Sequence, residues 1–246
     1  MKQLLSFVLL SVVLLAVVQC NKATSSGKFT GSGGSTARFA ISGDHLYTVD
    51  KSNLKVFSIA DAADPVLKNT VPVGFEIETI YPFKDKLFIG STSVVHIFSV
   101  DDPENPQKLS TAISPEVIRR CDPVVAKDTV AYATLRTNGV CGGAQSILAA
   151  YDIKDLTKPV QKASYPVSEP YGLGYADTAL YVCNRDGLYV FNISSAFSPQ
   201  LTKKISDGWY LDVIPYYNTL ICQVQDGMNL FDISNRMEPG LITKIK

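Results

Sequence analysis

Arginines, acids and aromatics recur at matching places along this chain: Arg38, Glu76 and Glu78, Arg119, Arg120 and Asp122, Tyr171, then Trp209, Tyr210 and Asp212. Trp209 is the sole tryptophan. Gathered at one opening, such residues would hold a polar ligand, a saccharide or a peptide. Asn184, Arg185, Asp186, Gln225 and Asp226 belong to loops that should open on the same side. Glu78, Asp122 and Asp212 offer the alternative of glycosidic cleavage, which takes two carboxyls roughly 5–9.5 Å apart. Three acids out of 23 are a slender basis for that chemistry, so non-catalytic binding is the leading expectation and a carbohydrate-active hydrolase or lyase the alternative. His45 and His96 have no serine or cysteine nucleophile motif beside them, which leaves a catalytic triad unsupported. No cysteine pair has CxxC spacing, and two histidines are too few for a zinc cluster. Asn184-Arg185-Asp186-Gly187 lacks the ligand spacing of a calcium loop. No metal or cofactor is expected.

A recurring phrase must position these residues. It reads Val56-Phe57-Ser58-Ile59 with Pro65, and Ile97-Phe98-Ser99-Val100 with Pro106. It returns as Ala150-Tyr151-Asp152-Ile153 with Pro159, as Val190-Phe191-Asn192-Ile193 with Pro199, and as Leu230-Phe231-Asp232-Ile233 with Pro239. A period near 40 residues built from short strands is the signature of a β-propeller. No sustained helical periodicity follows residue 20, which excludes a helical solenoid. Within each copy, a short apolar strand such as Leu180-Tyr181-Val182-Cys183 is followed by a turn, here ending in Asp186-Gly187, and then by the phrase. A polar loop stopped by proline leads to an outer strand, where proline need not donate to a ladder.

The expected fold is all-β, a five-bladed β-propeller of four-stranded antiparallel blades closed into one ring. The blades are expected at about 38–74, 75–115, 116–170, 171–208 and 209–246. The third copy is longer, its aromatic lying 53 residues after the previous one against 40 or 41 elsewhere. The extra residues fall near 136–145, between the second and third strands, and should form a protruding loop of the kind that carries function.

Leu46-Tyr47-Thr48-Val49-Asp50 resembles the LVIVD repeat at its Leu, Val and Asp, and the aromatic-polar-Ile phrase with its later proline is similar to the second half of that repeat. The resemblance covers about residues 38–246. It implies an exported bacterial propeller, often lipid-anchored, and supplies no catalytic residues.

The N-terminus fits export. Met1-Lys2-Gln3 carries one positive charge, and Leu4 to Val18 carries none. Fifteen such residues are short for a membrane span and normal for the apolar part of a signal peptide. Cys20 resembles the lipidated cysteine of bacterial lipoproteins, and the Gly/Ser-rich residues after it read as a tether. The expected organisation is therefore a signal peptide at 1–19, a lipidated Cys20 with tether at 20–37, and a propeller at 38–246. The mature protein would sit on the bacterial envelope, in the outer membrane facing the periplasm. It would be a monomeric propeller whose partners are the membrane, through its lipid, and an envelope protein or glycan.

Lys plus Arg equal Asp plus Glu at 23 each, and no run of like charge occurs. Nucleic acid is accordingly not an expected partner. Cys121 opens the first strand of the third blade and Cys141 follows the second. They lie either bridged or as two free thiols. Cys183 and Cys222 sit in apolar second strands at opposite parity relative to the following aromatics, and are expected to be buried free thiols on different blade faces.

Overall fold

The computed structural model describes residues 34–92, 94–113, 123–137 and 145–246. Cys20, Arg119, Arg120, Cys121, Asp122 and Cys141, together with the expected signal segment, lie outside the described residues. Five sheets, each of four antiparallel strands in chain order, build a five-bladed propeller. Blade one holds β1 (Phe39–Ser42), β2 (His45–Val49), β3 (Asn53–Ser58) and β4 (Val66–Pro72). Blade two holds β5 (Ile77–Phe83), β6 (Lys86–Ser91), β7 (Val94–Ser99) and β8 (Gln107–Ile113). Blade three holds β9 (Val124–Lys127), β10 (Val130–Leu135), β11 (Ile147–Asp152) and β12 (Val160–Pro166). Blade four holds β13 (Pro170–Ala176), β14 (Ala179–Asn184), β15 (Gly187–Asn192) and β16 (Gln200–Ile205). Blade five holds β17 (Tyr210–Tyr216), β18 (Thr219–Val224), β19 (Gly227–Asp232) and β20 (Gly240–Ile245).

Each part of the recurring phrase has a local job. Its aromatic sits at a register shift between the third and fourth strands in every blade, at Phe57, Phe98, Tyr151, Phe191 and Phe231. The bulge gives the outer strand one extra residue and increases its twist. The polar residue after the aromatic caps the following turn. Ser58, Ser99, Asp152, Asn192 and Asp232 each accept a hydrogen bond from the backbone N–H two residues on. Such local bonds draw the chain out of the strand.

Alternation in the second and third strands gives every blade two apolar faces, so the cores lie between blades. One cluster joins blades one and two through Tyr47, Val56, Leu87 and Phe98. Others join two to three through Phe88, Ile97, Ala133 and Ala149, and three to four through Tyr132, Leu148, Leu180 and Phe191. The last joins four to five through Tyr181, Val190, Leu220 and Phe231. Second-strand tyrosines lock three of these seams: the hydroxyls of Tyr47, Tyr132 and Tyr181 donate to the carbonyls of Pro103, Ala196 and Arg236 in the next blade's loop, at 3.0, 2.8 and 2.8 Å.

Ring closure departs from expectation. Among the described residues no apolar cluster joins blade five to blade one. Ile221, at the place of those tyrosines in blade five, has no hydroxyl to offer. Ile214, Ile221 and Leu230 on blade five, and Ile41, Leu46 and Phe57 on blade one, stay only half-buried. Residues 34–37 connect the two sides at the axis instead. Thr36 Oγ1 donates to Asp212 of blade five at 2.5 Å, and Ile80 of blade two donates its N–H to the Ala37 carbonyl at 2.8 Å.

Candidate functional site

At the axis, Ser35 is buried and accepts the Leu173 N–H on its hydroxyl at 2.7 Å. Below it, a cavity of about 200 Å³ is lined by Ser35, Tyr81, Val125, Leu173, Tyr175 and Pro215. The residues expected to be a flexible tether thus end as a plug. Asp212 belongs to this plug. Its carboxylate accepts from Thr36, from Ser35 at 3.4 Å and from its neighbour's Val213 N–H at 2.9 Å. A side chain on Gly34 or Gly172 would collide with it, so two glycines make room for one carboxylate. Burial pushes the Asp212 pKa up, and the three donors hold it back.

The other expected site residues divide by geometry. Arg38 gives its guanidinium to two backbone carbonyls, those of Glu78 at 3.1 Å and Ile77 at 3.2 Å. It ties blade one to blade two, and Glu78 stands beside it through its backbone. Tyr210 is fully buried in the seam between blades four and five. Its hydroxyl donates to Asp207 at 2.6 Å and accepts from Asn229 at 3.2 Å.

Tyr171 and Trp209 come together at the mouth. Their ring centroids are 5.4 Å apart, tilted by 57°. The Arg136 guanidinium stacks over Tyr171 at 4.2 Å, and that of Arg185 over Trp209 at 5.3 Å. The result is a four-member stack of cation, ring, ring, cation. Glu169 braces it, pairing with Arg185 at 3.3 Å and accepting the Tyr171 hydroxyl at 3.1 Å. The Tyr171 carbonyl is pinned by Thr134 Oγ1 at 2.7 Å. The adjoining turn is fixed by Asp186, which accepts from Lys204 at 2.6 Å, Ser168 at 2.9 Å and Tyr189 at 3.0 Å. Two polar atoms of the stack, Arg136 Nε and Trp209 Nε1, are buried without a hydrogen-bond partner.

Neither Arg136 nor Glu169 stands out in the sequence as a site residue. Arg136 stands at the edge of the third-copy insertion and Glu169 in a polar connection. Register supplies the missing signal. Arg136 and Arg185 each follow the last residue of a second strand, β10 and β14. Glu169 and Trp209 occupy the same rung, since their carbonyls accept from Arg185 N and Gln225 N, both at 3.1 Å.

Cys183 and Cys222 are both fully buried free thiols. They occupy opposite faces of their own blades, as expected, and because the blades are adjacent both enter the same seam. Burial pushes both thiols well up. His96 is buried and meets the Thr111 hydroxyl at 3.3 Å.

No family model matches the sequence, and no curated protein sequence does. Solved structures match the fold. The computationally designed Ika8 protein is 14% identical with a TM-score of 0.60 over 84% of this chain and 60% of its own. A functionally unknown protein from Desulfotomaculum acetoxidans is 12% identical with a TM-score of 0.65 over 82% of this chain and 68% of its own. The periplasmic gluconolactonase PpgL of Pseudomonas aeruginosa is 12% identical with a TM-score of 0.62 over 82% of this chain and 67% of its own. The chain thus spans about two thirds or less of the length of these structures, and identities this low speak to fold alone.

Proposed function

We propose that this chain is an exported LVIVD-type propeller, anchored to the bacterial envelope through a lipidated Cys20, and that it works as a non-catalytic binding module. The Arg136–Tyr171–Trp209–Arg185 stack carries this reading. It is a rigid, partly exposed group of aromatics and cations at a propeller mouth, where loops on a fixed scaffold serve recognition. The axial acid, Asp212, is held within the plug by Thr36 and Ser35, which favours a structural role for it over acid–base work. The full chain, immobilised beside a Tyr171→Ala/Trp209→Ala variant and a variant altered in the 101–106 loop on the opposite face, is to be exposed to envelope extract and glycan arrays. Loss of retention in the aromatic variant alone supports the reading. Loss only in the 101–106 variant moves the working surface to the other end. Mass spectrometry of the membrane fraction checks Cys20: a mature chain that is soluble and unacylated removes the anchor.

A further inference from the structure

We infer that the stack at the mouth is a site for a carboxylate-bearing saccharide, a sugar acid, bound through Arg136 and Trp209; this rests on the binding-module reading above and names its ligand. The four groups alternate Arg136, Tyr171, Trp209, Arg185, at successive spacings of 4.2, 5.4 and 5.3 Å. Each ring has one face under a guanidinium, and the two rings meet at a tilt of 57°. A neutral sugar stacking on either of those faces would have to displace a guanidinium. A guanidinium held over a ring, however, still carries several N–H donors in one plane, the arrangement suited to planar anions.

The charges and donors point the same way. Glu169 neutralises Arg185 at 3.3 Å. Arg136 has no acidic partner among the described residues, so the stack carries one positive charge in excess. Arg136 Nε and Trp209 Nε1 are buried donors without acceptors. Leaving such a group unpaired is unfavourable, and an incoming acceptor gains more there than at a solvated donor. The two donors belong to different members of the stack. One carboxylate therefore takes Arg136, and a second oxygen of the same molecule takes Trp209. A ring bearing both a carboxylate and hydroxyls offers both acceptors. The carboxylate decides binding and the hydroxyl decides orientation.

Trp209 is the only tryptophan, so its emission reports on the stack directly. The full chain is to be titrated with glucuronate, with glucose as the uncharged ring, inorganic phosphate as a tetrahedral anion, and triglutamate as a peptide source of carboxylate. Glucuronate is expected to shift the emission saturably, and glucose is not. Arg136→Gln should weaken glucuronate at least tenfold with an unchanged melting temperature, and Arg136→Lys should not restore it. Trp209→Phe, followed by calorimetry, should weaken it several-fold. If Arg136→Gln fails to fold, the Trp209→Phe result and the glucose comparison still decide. Glucose binding as well as glucuronate, phosphate binding better, triglutamate binding in place of glucuronate, or no saturable signal each overturns the proposal. If carboxylates fail while the aromatic variant still loses its envelope partner, the ligand class falls and the binding face stands. If both fail, the face falls too.

Discussion

At the scale of single residues, polar groups that burial has isolated are the most informative. His96 is packed in blade two, 7% exposed, with its ring against Gly74 and Thr111. Burial, with a smaller contribution from Lys108, pulls its pKa down to about 4. The folded protein therefore keeps His96 neutral where the unfolded chain, titrating near 6.5, takes up a proton. Between those two values the unfolded state binds more protons, so stability falls as pH drops through that window and is insensitive to this group above it. From pH 7 to 5 the loss from this site should be roughly 1–2 kcal/mol. Urea unfolding of wild type and His96→Gln at both pH values measures it. The variant should lose less on acidification, and equal losses would refute the assignment. The tyrosine hydroxyls and free thiols of the seams follow the same logic: each is accepted in a core because it finds a carbonyl, or stays un-ionised.

At the scale of elements, the first hairpin of each blade turns through a residue at positive φ: Gly43, Lys84, Asp128, Asp177 and Tyr217, all between 51° and 55°. Only the first is glycine. A side chain in that region costs about 1–2 kcal/mol. Lys84→Gly should therefore stabilise the protein by about 0.5–1 kcal/mol after glycine's larger entropy in the unfolded chain is counted. Loss of the Lys84 ammonium over the Phe83 ring at 5.0 Å offsets little of that gain at an exposed site. A raised unfolding free energy is expected; a lowered one would contradict the turn geometry. Much of the blade was legible because its parts obey short-range rules. Strand two announces itself by apolar runs, and the phrase by its spacing. Asp186-Gly187 was legible as a turn, although the turn centres on Arg185-Asp186 and Gly187 opens the next strand at φ 144°. The bulge was not legible, because the extra residue (Lys68, Leu109, Lys162, Thr202 or Ile242) lies in the outer strand and shares no chemistry. The site was half legible for a related reason. Tyr171 and Trp209 are bulky and mark the start of strand one in their blades, whereas Arg136 and Glu169 look like ordinary loop residues until register places them.

At the scale of the whole molecule, five blades share four packed seams among the described residues. The sequence pattern predicts five, because each blade repeats two apolar faces. It cannot weigh the last pair, since closure depends on the angle between blades, and no local pattern encodes that angle. In such arrays each unit draws its stability from its neighbours. Blades two, three and four have one on either side, while blades one and five have one each. The consequence is visible in blade five, where the second strand β18 alternates between buried and more exposed residues and Met228 is 39% exposed, while the second strand of blade four, β14, is buried along its whole length. Local opening should therefore begin at the two flanks. Under native conditions, amide hydrogens of β2–β3 and β18–β19 should exchange faster than those of β6–β7, β10–β11 and β14–β15. Residues 34–37 should keep intermediate protection, because their bonds to Asp212, Leu173 and Ile80 hold the axis while the outer strands open. Uniform protection through all five blades would mean that the flanking faces are covered in solution. A Phe57→Asp substitution would then separate the cases. On a half-buried flank it should cost well under the ~3–5 kcal/mol expected where a buried aromatic is lost, and in a closed seam it should cost that full amount.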